Sequence, residues 1–252
     1  MNILPCQDVA LPLPQAQAQT ATHWGLRPEH WRVVEAQHRI STNRLAANLD
    51  DQARLEHLAE AAKPDLPKAA QRLHYLLASP FRYGHGTESR FRRANERPGI
   101  FYASENEATA IAETAYWRLR FYSRSPGFMP PSATSEHTSF TAVVATERAL
   151  DLTAGPFAAE HHAWTDPLDY GPCQDLAAAA REARIALLRS VSARDPAHGC
   201  NVVVFDPAAF ASSDPTIRKT WHLRFENGRL SALAAFPSQD RFEFTAGAFD
   251  LV

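Results

Sequence analysis

The chain is poor in cysteine. Only Cys6, Cys173 and Cys200 occur in 252 residues, far apart and with no C-x-x-C pair. That excludes a disulfide framework and a structural zinc site and fits a reducing compartment. Excess positive charge is also missing. Twenty-six Lys and Arg stand against 28 Asp and Glu, for a net charge of −2, so no general basic surface draws in nucleic acid or anionic lipid. No apolar run reaches membrane-spanning length. The first residues lack a basic lead and carry Asp8 among Pro5, Pro12 and Pro14, unlike a secretory leader. These absences set the expectation of a cytoplasmic protein without direct nucleic-acid or membrane contacts. There is no G-x-G-x-x-G, no P-loop and no G-x-S-x-G elbow. His161 and His162 are adjacent with no matching ligand pair elsewhere, and so read as surface loop, with no metal expected.

What remains is an ordinary balance of 45% hydrophobic and 21% charged residues, enough for one large domain. Residues 1–28, rich in Pro, Gln and Ala, read as an extended arm. Residues 29–252 read as one domain, with an N-terminal helical lead over 29–72, a core over about 73–225 and a C-terminal hairpin over 218–252. Residues 31–35 have strand composition. Leu55, Leu58, Ala59 and Ala62 give a helix over 51–62 an apolar face, and Pro64 stops it. Residues 73–77 read as a buried strand and 99–103 as another. Ser104 and Glu107 have capping-box spacing, so a helix is expected there, with Ala108, Ile111, Ala112, Ala115 and Leu119 on one face. Beyond it, 123–138 has loop composition, 140–146 suits a strand, 155–172 a long connection and 175–190 an alanine-rich helix. Residues 201–205 suit a central strand, and 221–225 and 229–236 pair across an Asn227-Gly228 turn. Helices and strands mix without a βαβ rhythm, which indicates an α+β fold.

The chemistry concentrates in residues 81–118. Arg82, Arg90, Arg92, Arg93 and Arg97 fall within sixteen positions. Guanidinium forks suit phosphate or carboxylate, although such a stretch can equally be a solvated loop balanced by Glu88 and Glu96. Arg82 and Arg90 stand out because aromatics flank them. Glu113 lies at the border of the apolar helical stripe, where a carboxylate can point into a cleft and stabilise an oxocarbenium-like transition state. Helical glutamates are more often plain surface residues. The segment Ser192-Ala193-Arg194-Asp195-Pro196-Ala197-His198-Gly199 is a loop between two rigid elements, or a plain turn.

Taken in order, Phe81-Arg82-Tyr83, Ser89-Arg90-Phe91, Gly99 to Ser104 running into Thr109 to Thr114, and Ser192 to Pro196 running into Asn201 to Pro207 resemble the RES-domain family. The resemblance spans about residues 73–225. It implies an ADP-ribosyltransferase-like mixed sheet with flanking helices, NAD as substrate rather than cofactor, and cleavage of the nicotinamide–ribose bond. It implies inorganic phosphate, water or a protein side chain as acceptor, and an Xre-type antitoxin as partner of a toxin. By the same resemblance Arg82, Glu113 and Ser192 are the catalytic residues, with Ser190 competing for the serine role, and Tyr83, Arg90, Tyr102 and Asn201 bind substrate. Arg189-Ser190-Val191 departs from the family's aromatic before the serine. A silent nucleotide- or antitoxin-binding protein is the reading from a different class.

Overall fold

The computed structural model describes residues 29–36, 45–124, 127 and 134–251. The extended arm expected over residues 1–28 lies outside them. Among the described residues the chain forms five α-helices and a nine-stranded sheet of order β4-β5-β6-β2-β1-β3-β7-β8-β9. The strands are β1 Glu29–Glu35, β2 Phe101–Ser104, β3 Ser135–Val143, β4 Ala149–Asp151, β5 Leu187–Val191, β6 Cys200–Val204, β7 Thr216–Glu226, β8 Arg229–Ala234 and β9 Arg241–Thr245. Only β4 and β5 run parallel, so the sheet is mixed and the fold is α+β. The β7–β8 hairpin turns at Asn227 and Gly228, both with positive φ, as that dipeptide demands.

The helices are α1 Leu49–Ala61, α2 Tyr75–Arg82, α3 Glu107–Ser123, α4 His161–Thr165 and α5 Gly171–Glu182. On one side of the sheet, α3 packs Ile111, Ala115 and Leu119 against Trp221, Leu223, Leu230 and Ala232 of the β7–β8 hairpin. α5 packs Cys173, Leu176, Ala177 and Ala180 against Leu188 and Val203. On the other side, α2 packs Leu77, Ala78 and Phe81 against Phe101, Phe140, Val202 and Phe210. Phe210 meets Phe81 and Phe101 edge-on, at 6.2 and 5.1 Å between ring centroids. Each such pair adds about 0.5–1.5 kcal/mol beyond area burial.

Five expectations need correction. Residues 73–77 are no strand: His74 caps α2, its ring nitrogen accepting from the Leu76 N–H, and Leu77, Ala78 and Phe81 make a helical stripe. Residues 175–190 are no single helix, because α5 stops at Glu182 and β5 starts at Leu187. Arg184 makes the break at φ 57°, and the Ile185 N–H closes on the Ala180 carbonyl at 2.8 Å. α1 forms, but among the described residues its apolar face is not taken into the core: none of its residues is fully buried and Leu58 is 66% exposed. The capping box does not form either. Asn106 is the N-cap of α3, Ser104 turns to Asn201, and Glu107 takes bonds from Ser139, Lys219 and Trp221. β3 also starts earlier than expected, at Ser135.

One irregularity positions everything that follows. β1 and β2 are neighbours, yet they pair only at Trp31 and Ser104. From there the strands splay, and Arg32 reaches across the seam to donate to the Tyr102 carbonyl at 2.7 Å.

Candidate active site

At this seam a cleft of about 700 Å³ opens, lined by residues from both arms of the sheet. Its floor is a carboxylate. Glu113, on the second turn of α3, sends Oε1 to two donors on the β5–β6 arm. Ser192 Oγ donates at 2.7 Å and Asn201 Nδ2 at 2.5 Å. Oε2 receives Arg194 Nη1 at 3.0 Å. Three donors from three positions fix the orientation of the carboxylate.

The donors are themselves held. Asn201 lies opposite Ser104 on β2, and Ser104 Oγ donates to its Oδ1 at 2.7 Å, which fixes the amide orientation. Ser192 follows β5, where its hydroxyl also accepts the N–H groups of Arg194 at 3.1 Å and Asp195 at 2.9 Å. One donated and two accepted bonds use the full capacity of a hydroxyl. Ser192 is 1% exposed and organises the site rather than attacking from it. Asp195 closes the loop by accepting from Thr109 Oγ1 at 2.8 Å and from the Gly199 N–H at 3.2 Å. Gly199 has to be glycine, since a Cβ there would stand 2.1 Å from Thr109 Oγ1.

Arg194 is the centre of the electrostatics. Its Nη2 donates to the Tyr170 hydroxyl at 3.0 Å, and its guanidinium lies over the rings of Trp117 at 4.4 Å and Tyr116 at 4.7 Å. Burial works against its charge, yet Glu113 and Tyr170 outweigh burial and hold its pKa above the ordinary arginine value. Burial alone would push the Tyr170 phenol up, but the guanidiniums of Arg194 and Arg120 turn the net shift downward.

On the remaining walls, Arg90 donates to the Trp164 carbonyl at 3.0 Å and lies 5.0 Å over the Tyr170 ring. Among the described residues its Nη2 is buried without a hydrogen-bond partner, as is Nε of Arg32. Burial pushes the Arg32 pKa down to about 10, so it remains charged at neutral pH. Tyr102 donates to Ser89 Oγ at 3.0 Å and accepts the Phe91 N–H at 3.1 Å, and burial is the main reason its phenol is raised.

Of the residues singled out in the sequence, Glu113, Ser192, Asn201, Arg90, Tyr83 and Tyr102 gather at the cleft. All but Ser192 line it, and Ser192 stands directly behind Glu113. Ser190, the competing serine, lines the cleft from β5 but has no bond to Glu113 among those recorded. Arg82 is not brought in. It ends α2 facing away and pairs with Glu60 on α1 at 2.6 Å. Sequence reasoning assigned no role to Arg32 and Arg194. The strand composition of Trp31 to Glu35 concealed the first. The second stood inside the Ser192–Gly199 loop, but 81 positions from its partner.

Residues 66–226 match the family model of the RES domain. The chain belongs to the RES-domain family. The cleft lies within this matched segment except for β1, which adds Arg32 from outside it. A comparison with curated protein sequences finds no match. Among solved structures, the M. tuberculosis MbcT–MbcA toxin–antitoxin complex is similar to the chain, at 15% identity and a TM-score of 0.43, covering 78% of this chain and 84% of that one. A likeness at that level says nothing of function. Among the described residues no group of three or more His, Cys, Asp or Glu is placed to hold a metal ion, and no helix is long and apolar enough to cross a membrane.

Proposed function

We propose that this RES-domain protein is a toxin that cleaves the nicotinamide–ribose bond of NAD, with phosphate or water as acceptor, and that an antitoxin, expected to be of the Xre type, restrains it. The observation that carries this reading is the oriented Glu113 carboxylate at the base of a cleft lined with guanidiniums and tyrosines.

The chemistry follows from charge. The nicotinamide of NAD is a cationic leaving group. When the C1′–N bond breaks, its electron pair leaves with the ring nitrogen, so no general acid is needed. Positive charge then builds on the ribose C1′ and ring oxygen, and Glu113 stabilises it across the cleft. Arg90 and Arg32, each with a buried N–H that no other group among the described residues takes, hold the pyrophosphate. Tyr83 and Tyr102 supply ring edges and faces along the same wall. An acceptor oxygen forms the new C1′–O bond. Phosphate then gives a phosphorylated ADP-ribose, and water gives ADP-ribose with release of a proton. Holding the two reactants in one cleft accounts for further acceleration.

Incubation of the purified protein with NAD, with and without phosphate, followed by mass analysis of the products, tests the reading. Phosphorylated ADP-ribose identifies a phosphorylase and free ADP-ribose a hydrolase. A mass gain on protein identifies a transferase, the outcome that would replace the proposed acceptors. Unchanged NAD in both incubations would overturn the enzyme reading.

A further inference from the structure

Glu113 uses its two oxygens unequally. Oε1 is saturated by Ser192 and Asn201, both fixed in the sheet framework. Oε2 has one partner among the described residues, and that partner sits on the longest side chain of the loop. The Arg194 backbone is anchored through Ser192 Oγ independently of its side chain, whose guanidinium is held by Glu113 Oε2 and the Tyr170 hydroxyl. Its guanidinium is a flat monocation. Trp117 and Tyr116, whose rings meet at 79° and 5.4 Å, offer it two aromatic surfaces. Trp117 is 42% exposed and lines the cleft with Glu113 and Arg194, so a ligand meets this place from the Trp117 side, with Tyr116 buried behind it.

A carboxylate oxygen beside two aromatic rings is the chemistry that selects a flat organic cation. We propose that Glu113 Oε2, Trp117 and Tyr116 form a planar-cation subsite that the Arg194 side chain fills, and that the pyridinium ring of the substrate displaces it. This deepens the NAD reading and rests on it: the resident guanidinium has the charge and flatness of the ring that must reach Glu113. Arg194 thereby sets the selectivity of the site. A ligand gains entry only by offering Oε2 and the two rings as much as the guanidinium does, which a neutral ring cannot.

A resident competitor lowers apparent affinity by the fraction of molecules in which it stands aside. Calorimetric titration with 1-methylnicotinamide, a flat cation without phosphates, against the wild type and Arg194→Gln tests this. The variant is expected to bind the cation at least about tenfold tighter. Neutral nicotinamide gains less, and millimolar guanidinium ion competes with the cation in the variant. Adding Trp117→Leu to that variant removes the gain. Unchanged or weaker binding of the cation in Arg194→Gln would overturn the proposal and make Arg194 a fixed support of Glu113. If Arg194→Gln does not fold, Arg194→Lys carries the same test: it keeps the charge without the flat fork, a smaller tightening supports the subsite, and none overturns it. The titration needs no turnover, so its failure is separate from the failure of NAD cleavage, which the product analysis reads.

Discussion

Two arginine–glutamate pairs sit on this chain with opposite meanings. Arg82 and Glu60 approach to 2.6 Å between α2 and α1, with side chains 18% and 58% exposed. Arg194 and Glu113 are further apart, at 3.0 Å, with side chains 11% and 18% exposed. Distance would rank the surface pair first. Surroundings reverse the order. Water screens the first pair from the side of Glu60, and ion pairs with an exposed partner contribute little. The second is enclosed by Ser192, Asn201, Tyr116, Trp117 and Tyr170, so each charge depends on the other.

The largest effect is expected from Glu113→Gln. NAD turnover should fall by about a hundredfold or more, and a thermal melt should show about 1–3 kcal/mol of lost stability with the fold kept, because Arg194 loses its partner. Wild-type turnover in this variant would erase the distinction between the two pairs. Next is Gly199→Ala, which places a methyl against Thr109 Oγ1 and pushes the Ser192–Gly199 loop off α3. A loss of about 1–3 kcal/mol is expected, and turnover falls with it because Arg194 moves. Ser192→Ala strips two backbone N–H groups and Glu113 of one shared partner, for about 1–3 kcal/mol and a partial loss of turnover.

The pH dependence separates the two regions. Burial, then the charges of Arg92 and Arg32, lowers the pKa of His85 on the cleft wall. Its folded pKa lies below its unfolded one, so the unfolded chain binds more protons and stability falls as pH drops below about 6.5. Hydrogen bonds from Lys63 and then Arg82 hold the Glu60 pKa down to about 2. Whatever that carboxylate contributes is present above its unfolded value and is lost only as pH falls toward 2. Denaturation midpoints measured from pH 8 to 3 should therefore show a histidine decline first, shared with His137, whose pKa burial also lowers, and His85→Gln should reduce it. The smallest effect is Arg82→Ala, expected to leave turnover and melting at wild-type level. A loss of turnover there would return Arg82 to the site.

Local signals made much of this legible. The Asn227-Gly228 hairpin, the apolar run of β6 and the stripe of α3 are all encoded within a few residues, and the ordered motifs brought Glu113, Ser192, Asn201 and Arg90 together. What failed depends on distant partners. Leu73 to Leu77 is too short for period to separate helix from strand, and Pro80 inside α2 argues against the true answer. The end of α5 carries no glycine or asparagine; Arg184 takes the left-handed conformation that those residues usually take, so the stop left no mark. Arg82 has the right neighbours in sequence, but α1 supplies its counterion. Arg194 has an unremarkable sequence context, and its role exists only when Glu113 arrives from 81 positions away.

The single β1–β2 pair also has a consequence for folding order. α3, which carries Glu113, is anchored on the β7–β8 hairpin, whereas Ser192, Arg194 and Asn201 belong to the β5–β6 arm. Neither arm alone holds a satisfied carboxylate. The site is therefore completed only when both arms are in place, above a core in which Phe140 of one arm and Phe101 and Val202 of the other already meet.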